Sequence, residues 1–289
     1  MRPFYEIHTL KRISSSFSCS FEYLDPASLS LFKPKYIELR HASRRKEAER
    51  RNIQKRFVTM RGKTKNPDGI IQEMYEIEYA MPNNSHYAFL NALLSTEGLE
   101  KLTGFPIDQL RQRQILDVGT GSGELIRFLL SQRVPPAHLG GTDIAHASIE
   151  AMENMGVRGY QGRLEDLSIP AHSIDLLFLS YFIDYDTNQK ETLNSAIKLM
   201  RTGGTIVFEG LLPCIVGGGQ TQRDHIERRI TRGRSLGEDT TLICQAFVDQ
   251  ANNEKRTAKI EKIILSYRYI YNQLGLRKRR SVFIVAEIT

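Results

Sequence analysis

The sequence predicts an α/β fold, a parallel sheet covered by helices on both faces, preceded by a mostly helical N-terminal region. Three observations carry this reading. Short apolar runs alternate with segments of helical spacing from residue 114 to residue 212, and such alternation demands a parallel sheet with both faces covered. A glycine-rich turn joins the first of these runs to the first of these helices. The chain has 289 residues, 40% of them hydrophobic and 25% charged, which is enough apolar material for a sizeable core and excludes wholesale disorder. No run approaches the ~18 apolar residues of a membrane span; the longest, Leu176 to Phe182, already contains Ser180. Cys19, Cys214 and Cys244 are scattered, with no C-x-x-C pair. This argues against a disulfide framework or a cysteine-rich zinc site and favours a reducing compartment.

The net charge of +7 is unevenly spread. Residues 1–113 carry 19 Lys+Arg against 13 Asp+Glu, residues 114–212 carry 7 against 12, and residues 213–289 carry 14 against 8. An acidic middle therefore lies between two basic flanks, and what binds the middle need not resemble what binds the flanks.

Residues 1–20 hold basic residues, serines and a single acid, Glu6. They read as a frayed N-terminus, with a mitochondrial presequence as the alternative. Arg40 to Lys65 contains eleven Lys/Arg and two acids. Its helical part, His41 to Phe57, reads as a solvated polar helix or as a surface for phosphate. No aromatic residue interleaves with those charges enough to form a base-stacking platform. Asn66-Pro67-Asp68-Gly69 is a turn, and amphipathic texture resumes over 70–103. Residues 1–110 are expected to be a helical region packing on or roofing the site, and 111–289 to be the main domain, with a lid-like insertion near 213–240.

Gln114 to Val118 reads as a strand, Gly119-Thr120-Gly121-Ser122-Gly123 as a tight turn, and Glu124 onward as a helix that stops at Pro135-Pro136. The glycines let backbone approach a ligand closely, and the helix start presents free N–H groups. A dinucleotide fingerprint needs a third glycine where Glu124 stands. Glu124 and Asp117 would also repel a diphosphate. The spacing D-x-G-x-G-x-G suits a positive or zwitterionic ligand instead. Leu139 to Ile144 reads as a second strand ending in Asp143, twenty residues beyond Gly123, where a carboxylate can accept from ribose hydroxyls or cap the following helix. Val157–Gly162, Ser173–Ser180 and Thr205–Leu212 read as further strands, with a helix over Thr187–Met200.

Together these segments resemble the core of class I S-adenosylmethionine-dependent methyltransferases, particularly the small-molecule group that includes ubiquinone-biosynthesis enzymes. ILDVGTGSGE (115–124) is similar to their first motif and GTDIA (141–145) to their second. GRLEDLSIPAHSIDLLFLS (162–180) resembles the third and fourth, and LMRTGGTIVFEG (199–210) the late helix–glycine–strand element. The resemblance covers about 100 residues and implies a Rossmann-like, mostly parallel seven-stranded sheet and S-adenosyl-L-methionine as cofactor. It implies that Asp117, Gly119, Thr120, Gly121 and Gly123 hold the methionine part, Asp143 the ribose and Ile144 the adenine face. Leu164 and Glu165 would lie at the adenine edge, and Ser180 at the end of the fourth strand. One departure stands out: the family usually has Asp where this chain has Arg163. The contact to the adenine amino group must then come from Glu165 or backbone, or be absent.

Methyl transfer from a sulfonium is an in-line displacement, so positioning matters most and a general base is optional. Candidates on the acceptor side are Tyr181 and Asp184 after the fourth strand, Glu209 on the fifth, and His225 as a base on a lid-like segment. Packing and capping are the competing readings for Tyr181 and Asp184. Ser180-Tyr-Phe-Ile lacks the Pro-Pro-Tyr/Phe tetrad of amino-directed nucleic-acid methyltransferases and the Pro-Cys nucleophile of cytosine C5 enzymes. Thr240–Val248 reads as a weak sixth strand and Glu254–Leu274 as a long helix with Ile260, Ile263, Ile264, Tyr267, Ile270 and Leu274 inward. Arg277–Arg280 is a basic cluster, and Ser281–Ile288 is the last strand. A hairpin of the last two strands and a version with the long helix inserted both remain open.

The expected activity is methyl transfer to an O, N or C atom of a small molecule, anionic acceptors included, in the cytoplasm. The alternatives are an RNA methyltransferase using the basic flanks Arg40–Lys65, Arg223–Arg234 and Arg277–Arg280, and a cofactor-binding regulator without catalysis.

Overall fold

The computed structural model describes residues 2–24, 94–180, 189–210, 236–272 and 275–289. Eight strands form one sheet in the order β1-β7-β8-β6-β5-β2-β3-β4. They are β1 (Ser20–Leu24), β2 (Ile115–Val118), β3 (Leu139–Asp143), β4 (Arg158–Gln161), β5 (Ile174–Ser180), β6 (Met200–Gly210), β7 (Ala258–Asn272) and β8 (Gly275–Ile288). Only β8 runs against its neighbours; β1–β7 and the β6-β5-β2-β3-β4 set pair in parallel. The described α-helices are α1 (Arg2–Ser16), α2 (Thr96–Thr103), α3 (Ile107–Leu110), α4 (Glu124–Ser131), α5 (His146–Asn154), α6 (Gln189–Leu199) and α7 (Leu236–Asn253).

Alternate residues of the central strands enter two separate cores. Leu116, Val118, Leu177, Leu179, Ile206 and Phe208 pack with Leu10 and Ile13 of α1, Leu193 and Ile197 of α6, and Phe247 of α7. Ile115, Leu176, Phe178 and Val207 pack on the other face with Leu99 and Leu102 of α2 and Leu125, Ile126 and Leu129 of α4. That two-sided burial is why these strands read as unbroken apolar runs. Phe208 and Phe247 meet edge to face with centroids 6.1 Å apart, which locks α7 onto the sheet.

The structure corrects the sequence reading at both ends. The first residues are not frayed: Leu10 and Ile13 are core residues, and the following β1 adds an eighth strand at the sheet edge. Near the C-terminus the two element types are exchanged. The segment 240–248 is helical, within α7, because Thr240, Ile243, Cys244, Phe247 and Ala251 form the buried stripe, a spacing of three and four. The expected helix 254–274 is instead β7. Ile260, Ile263 and Ile264 imitate a helical stripe because a bulge at 260–262 shifts the alternation by one. From Ile263 to Ser266 both faces are covered. β-Branched isoleucines suit that double burial. The last two strands therefore form a direct β7–β8 hairpin.

Among the described residues no helix is long and apolar enough to cross a membrane.

Candidate functional site

From β2 the chain moves outward to β3 and β4, then returns to the other side of β2 with β5. The carboxyl ends of β2 and β5 therefore flank a topological switch point, where open α/β sheets bind ligands. The glycine turn stands there. Gly119, Gly121 and Gly123 have φ of 71°, 56° and 75°, the left-handed region that glycine enters without steric cost.

The turn is held from β3. The amides of Gly119 and Thr120 donate to Thr142 O at 2.8 and 2.9 Å. The amide of Gly121 donates to Asp143 Oδ2 at 2.9 Å, and that of Ala145 to Oδ1 at 2.9 Å. Asp143 is thus a fastener between two strand ends rather than the cap of α5, whose N-cap is Ala145. Each carboxylate oxygen has a second lone pair, so the same group can accept from ribose hydroxyls.

Gly123 shows why side chains are excluded from the turn. A Cβ there would collide with Met152 Cε and crowd Met155 Cε. Met152 is fully buried on α5, and its Sδ lies 3.6 Å from Thr120 Oγ1. Sequence reasoning missed this methionine as a floor for the turn. Its three-residue spacing from the buried Ile149 is the one signal in the sequence that could have placed it on the inward face of α5. Gly123→Ala is expected to cost about 2–3 kcal/mol, combining the left-handed φ with displaced methionines. Urea denaturation that matches wild type would contradict this packing.

Asp117 is 5% exposed and accepts from Thr120 Oγ1 at 2.9 Å. Burial, reinforced by the nearby Asp143 charge and only partly offset by the threonine bond, pushes its carboxyl up to about 7. A cation placed beside it would reverse that cost.

Glu209 is fully buried at the carboxyl end of β6, in register with Ser180 of β5. Alternation from Val207, and from Ile115 and its partner Leu139, puts Glu209, Asp117 and Asp143 on one face of the sheet, the α2–α4 side. They are the only buried carboxylates among the described residues, and no Lys, Arg or His is buried with them.

Ile144 is half-buried beyond β3, available to cover an apolar ring face, and Leu164 is buried in the core. Glu165 accepts from Arg163 Nη1 at 3.3 Å and from Thr192 Oγ1 of α6 at 3.0 Å. The departure at Arg163 thus has a structural partner: the guanidinium pairs with Glu165, and Glu165, by accepting from Thr192, ties this loop to α6. Ser180 ends β5. Tyr181, Asp184 and His225, the expected catalytic candidates, lie outside the described residues, as do Cys214, Arg40–Lys65 and Arg223–Arg234. His172, in the turn before β5, is exposed.

The site so built is a glycine turn with buried acids beside it at a switch point. Residues 111–227 match the family model for a methyltransferase domain. That segment, 117 of the 289 residues, is therefore similar to methyltransferase domains. The sheet and site agree with that domain, since the matched segment contains the glycine turn, Asp143 and Glu209.

No curated protein matches the chain in sequence. Among solved structures it is similar to an S-adenosylmethionine-dependent methyltransferase from Methanosarcina mazei at 15% identity and a TM-score of 0.44, covering 64% of this chain and 98% of that one. It is also similar to one from Mesorhizobium loti at 15% identity and 0.44, covering 68% and 100%. A third, from Aquifex aeolicus, is 12% identical with a TM-score of 0.40, covering 68% and 92%.

Proposed function

We propose that the chain transfers a methyl group from S-adenosylmethionine to a small-molecule acceptor. One observation supports the donor most directly: the glycine turn at the switch point is tied to Asp143 at the end of β3 and has Asp117 buried beside it. Acidic groups placed there disfavour a phosphate and favour a sulfonium and an ammonium group. The residues fit this donor. Asp117 and the turn would hold its methionine part, Asp143 its ribose, and Ile144 its ring.

When bound, S-adenosylmethionine supplies an already activated methyl group. What remains for the chain is placement, which contributes up to ~7–11 kcal/mol in well-aligned reactions. The turn fixes the donor's position through the Asp143 clamp. Glu209 and the end of β5 border the space where an acceptor would lie, one strand from the turn. The buried acids and the absence of the nucleic-acid tetrad at 180–183 favour a small acceptor.

The test uses donor carrying a tritiated methyl group, offered to the full chain with a fractionated small-molecule extract or with total RNA. Label in a small-molecule fraction is expected. Label confined to RNA would replace this acceptor class with the macromolecular one.

A further inference from the structure

The loop after β4 is fastened from two sides. The amide of Gly162 donates to Asp143 O at 2.9 Å, which ties the loop to the end of β3. Three residues on, Glu165 accepts from Arg163 Nη1 at 3.3 Å through Oε1 and from Thr192 Oγ1 of α6 at 3.0 Å through Oε2. Between these anchors Leu164 enters the core cluster that also holds Leu193, Ala196 and Ile197 of α6. The loop beside Asp143 and Ile144 is therefore held by a helix that lies 27 residues further along the chain.

Thr192 is buried, and the Glu165 side chain is only 15% exposed. A buried hydroxyl that loses its partner has little water to turn to, so the bond is costly to leave unmade. Two donors from different elements thus fix one carboxylate in one orientation. An ionised carboxylate only accepts, and its two oxygens carry about four lone-pair sites. These two bonds do not exhaust it.

On the reading that S-adenosylmethionine is the donor and Ile144 covers its ring, we infer that Thr192 is a positioning residue for base selection. It fixes Glu165 as the acceptor for the ring's 6-amino group and so makes the pocket choose a 6-aminopurine. Thr192 acts through Glu165 and not on the ligand. Arg163 supplies donors only and would favour an oxo group at the same edge. The orientation of the Arg163–Glu165 pair therefore decides which ring edge is accepted, and Thr192 brings to that pair a constraint from outside the loop.

The probes are S-adenosylhomocysteine, the donor without its methyl group, and S-inosylhomocysteine, in which a 6-oxo group replaces the amino group. Titration calorimetry with the full chain gives the ratio of their affinities. A preference of roughly tenfold to a hundredfold for the adenosyl ligand is expected in the wild type, as one hydrogen bond to a charged group supplies. Thr192→Val, which keeps the shape and removes the hydroxyl, should cut that preference to about threefold or less, and Thr192→Ser should restore it. Glu165→Ala should abolish it. Thermal unfolding checks each variant, and Thr192→Ala takes the place of Thr192→Val if the latter is unfolded. An equal loss of affinity for both ligands in Thr192→Val would mean a purely structural role and overturn the inference. So would an undiminished preference in Thr192→Val or Glu165→Ala, no rescue by serine, or a wild-type preference for the 6-oxo ligand, which would assign the ring edge to Arg163. Wild-type binding of neither ligand would remove the donor reading and the inference with it; binding of both without preference would remove the inference alone.

Discussion

Asp143→Ala is expected to weaken S-adenosylmethionine binding by at least a hundredfold, measured by titration calorimetry. Two losses combine. The carboxylate accepts from the amides of Gly121 and Ala145, so its removal leaves the glycine turn untied from β3. Hydrogen bonds to a charged group are worth about 1.5–3 kcal/mol each. The ribose would also lose its acceptor, with a similar cost. Because Asp143 is only 8% exposed, the amides it leaves behind gain little water in exchange. Asp143→Asn separates the two roles. An amide oxygen can accept from one backbone N–H but not both, so an intermediate loss is expected. Equal affinity in Asp143→Ala and wild type would remove the assignment of this site.

Asp117→Asn is expected to make the free protein more stable at neutral pH while weakening donor binding. The native carboxyl titrates at about 7, against 3.8 unperturbed. Between those values the native state keeps a proton that the unfolded chain has released. Stability therefore falls as pH rises from about 4 to about 7. At pH 7 and above this amounts to a few kcal/mol, and the asparagine variant should lose that part of the pH dependence. Urea midpoints at pH 5 and pH 7.5 measure it. A cationic donor should draw the proton off Asp117, so wild-type donor affinity is expected to rise from pH 5 to pH 7, and to do so less in Asp117→Asn. Identical pH dependence of stability in the two proteins would show that the Asp117 carboxyl is not held protonated.

The same buried acid explains how far the site could be read in advance. Asp117, the three glycines and Asp143 fall close together in sequence, and their spacing along one strand–turn–helix unit already places them at one end of the sheet. The Asp143–Gly121 bond could be anticipated only loosely, because it spans 22 residues and depends on the β2–β3 register. Met152 and Thr192 had no signal beyond helical spacing. Their roles come from which turn or loop each helix happens to cover.

The C-terminal part shows the opposite case. Ile260, Ile263, Ile264 and Tyr267 fit a helical stripe, yet they belong to a strand. A bulge shifts the phase of alternation, and burial from both sides erases the polar half of the pattern. The weakly patterned 240–248 is a helix because its buried stripe meets the sheet through Phe208. In both places local periodicity competed with tertiary burial, and burial decided.

The sequence by itself determined the β2–turn–α4 unit and the acidic excess of the middle segment, since those depend on residues a few positions apart and on glycine's freedom at positive φ. Only the tertiary structure decided that the N-terminus contributes a strand, that Asp143 fastens the turn, and that β7 and β8 pair as neighbours. Each of these depends on register between strands, and register is set by which faces the folded core covers.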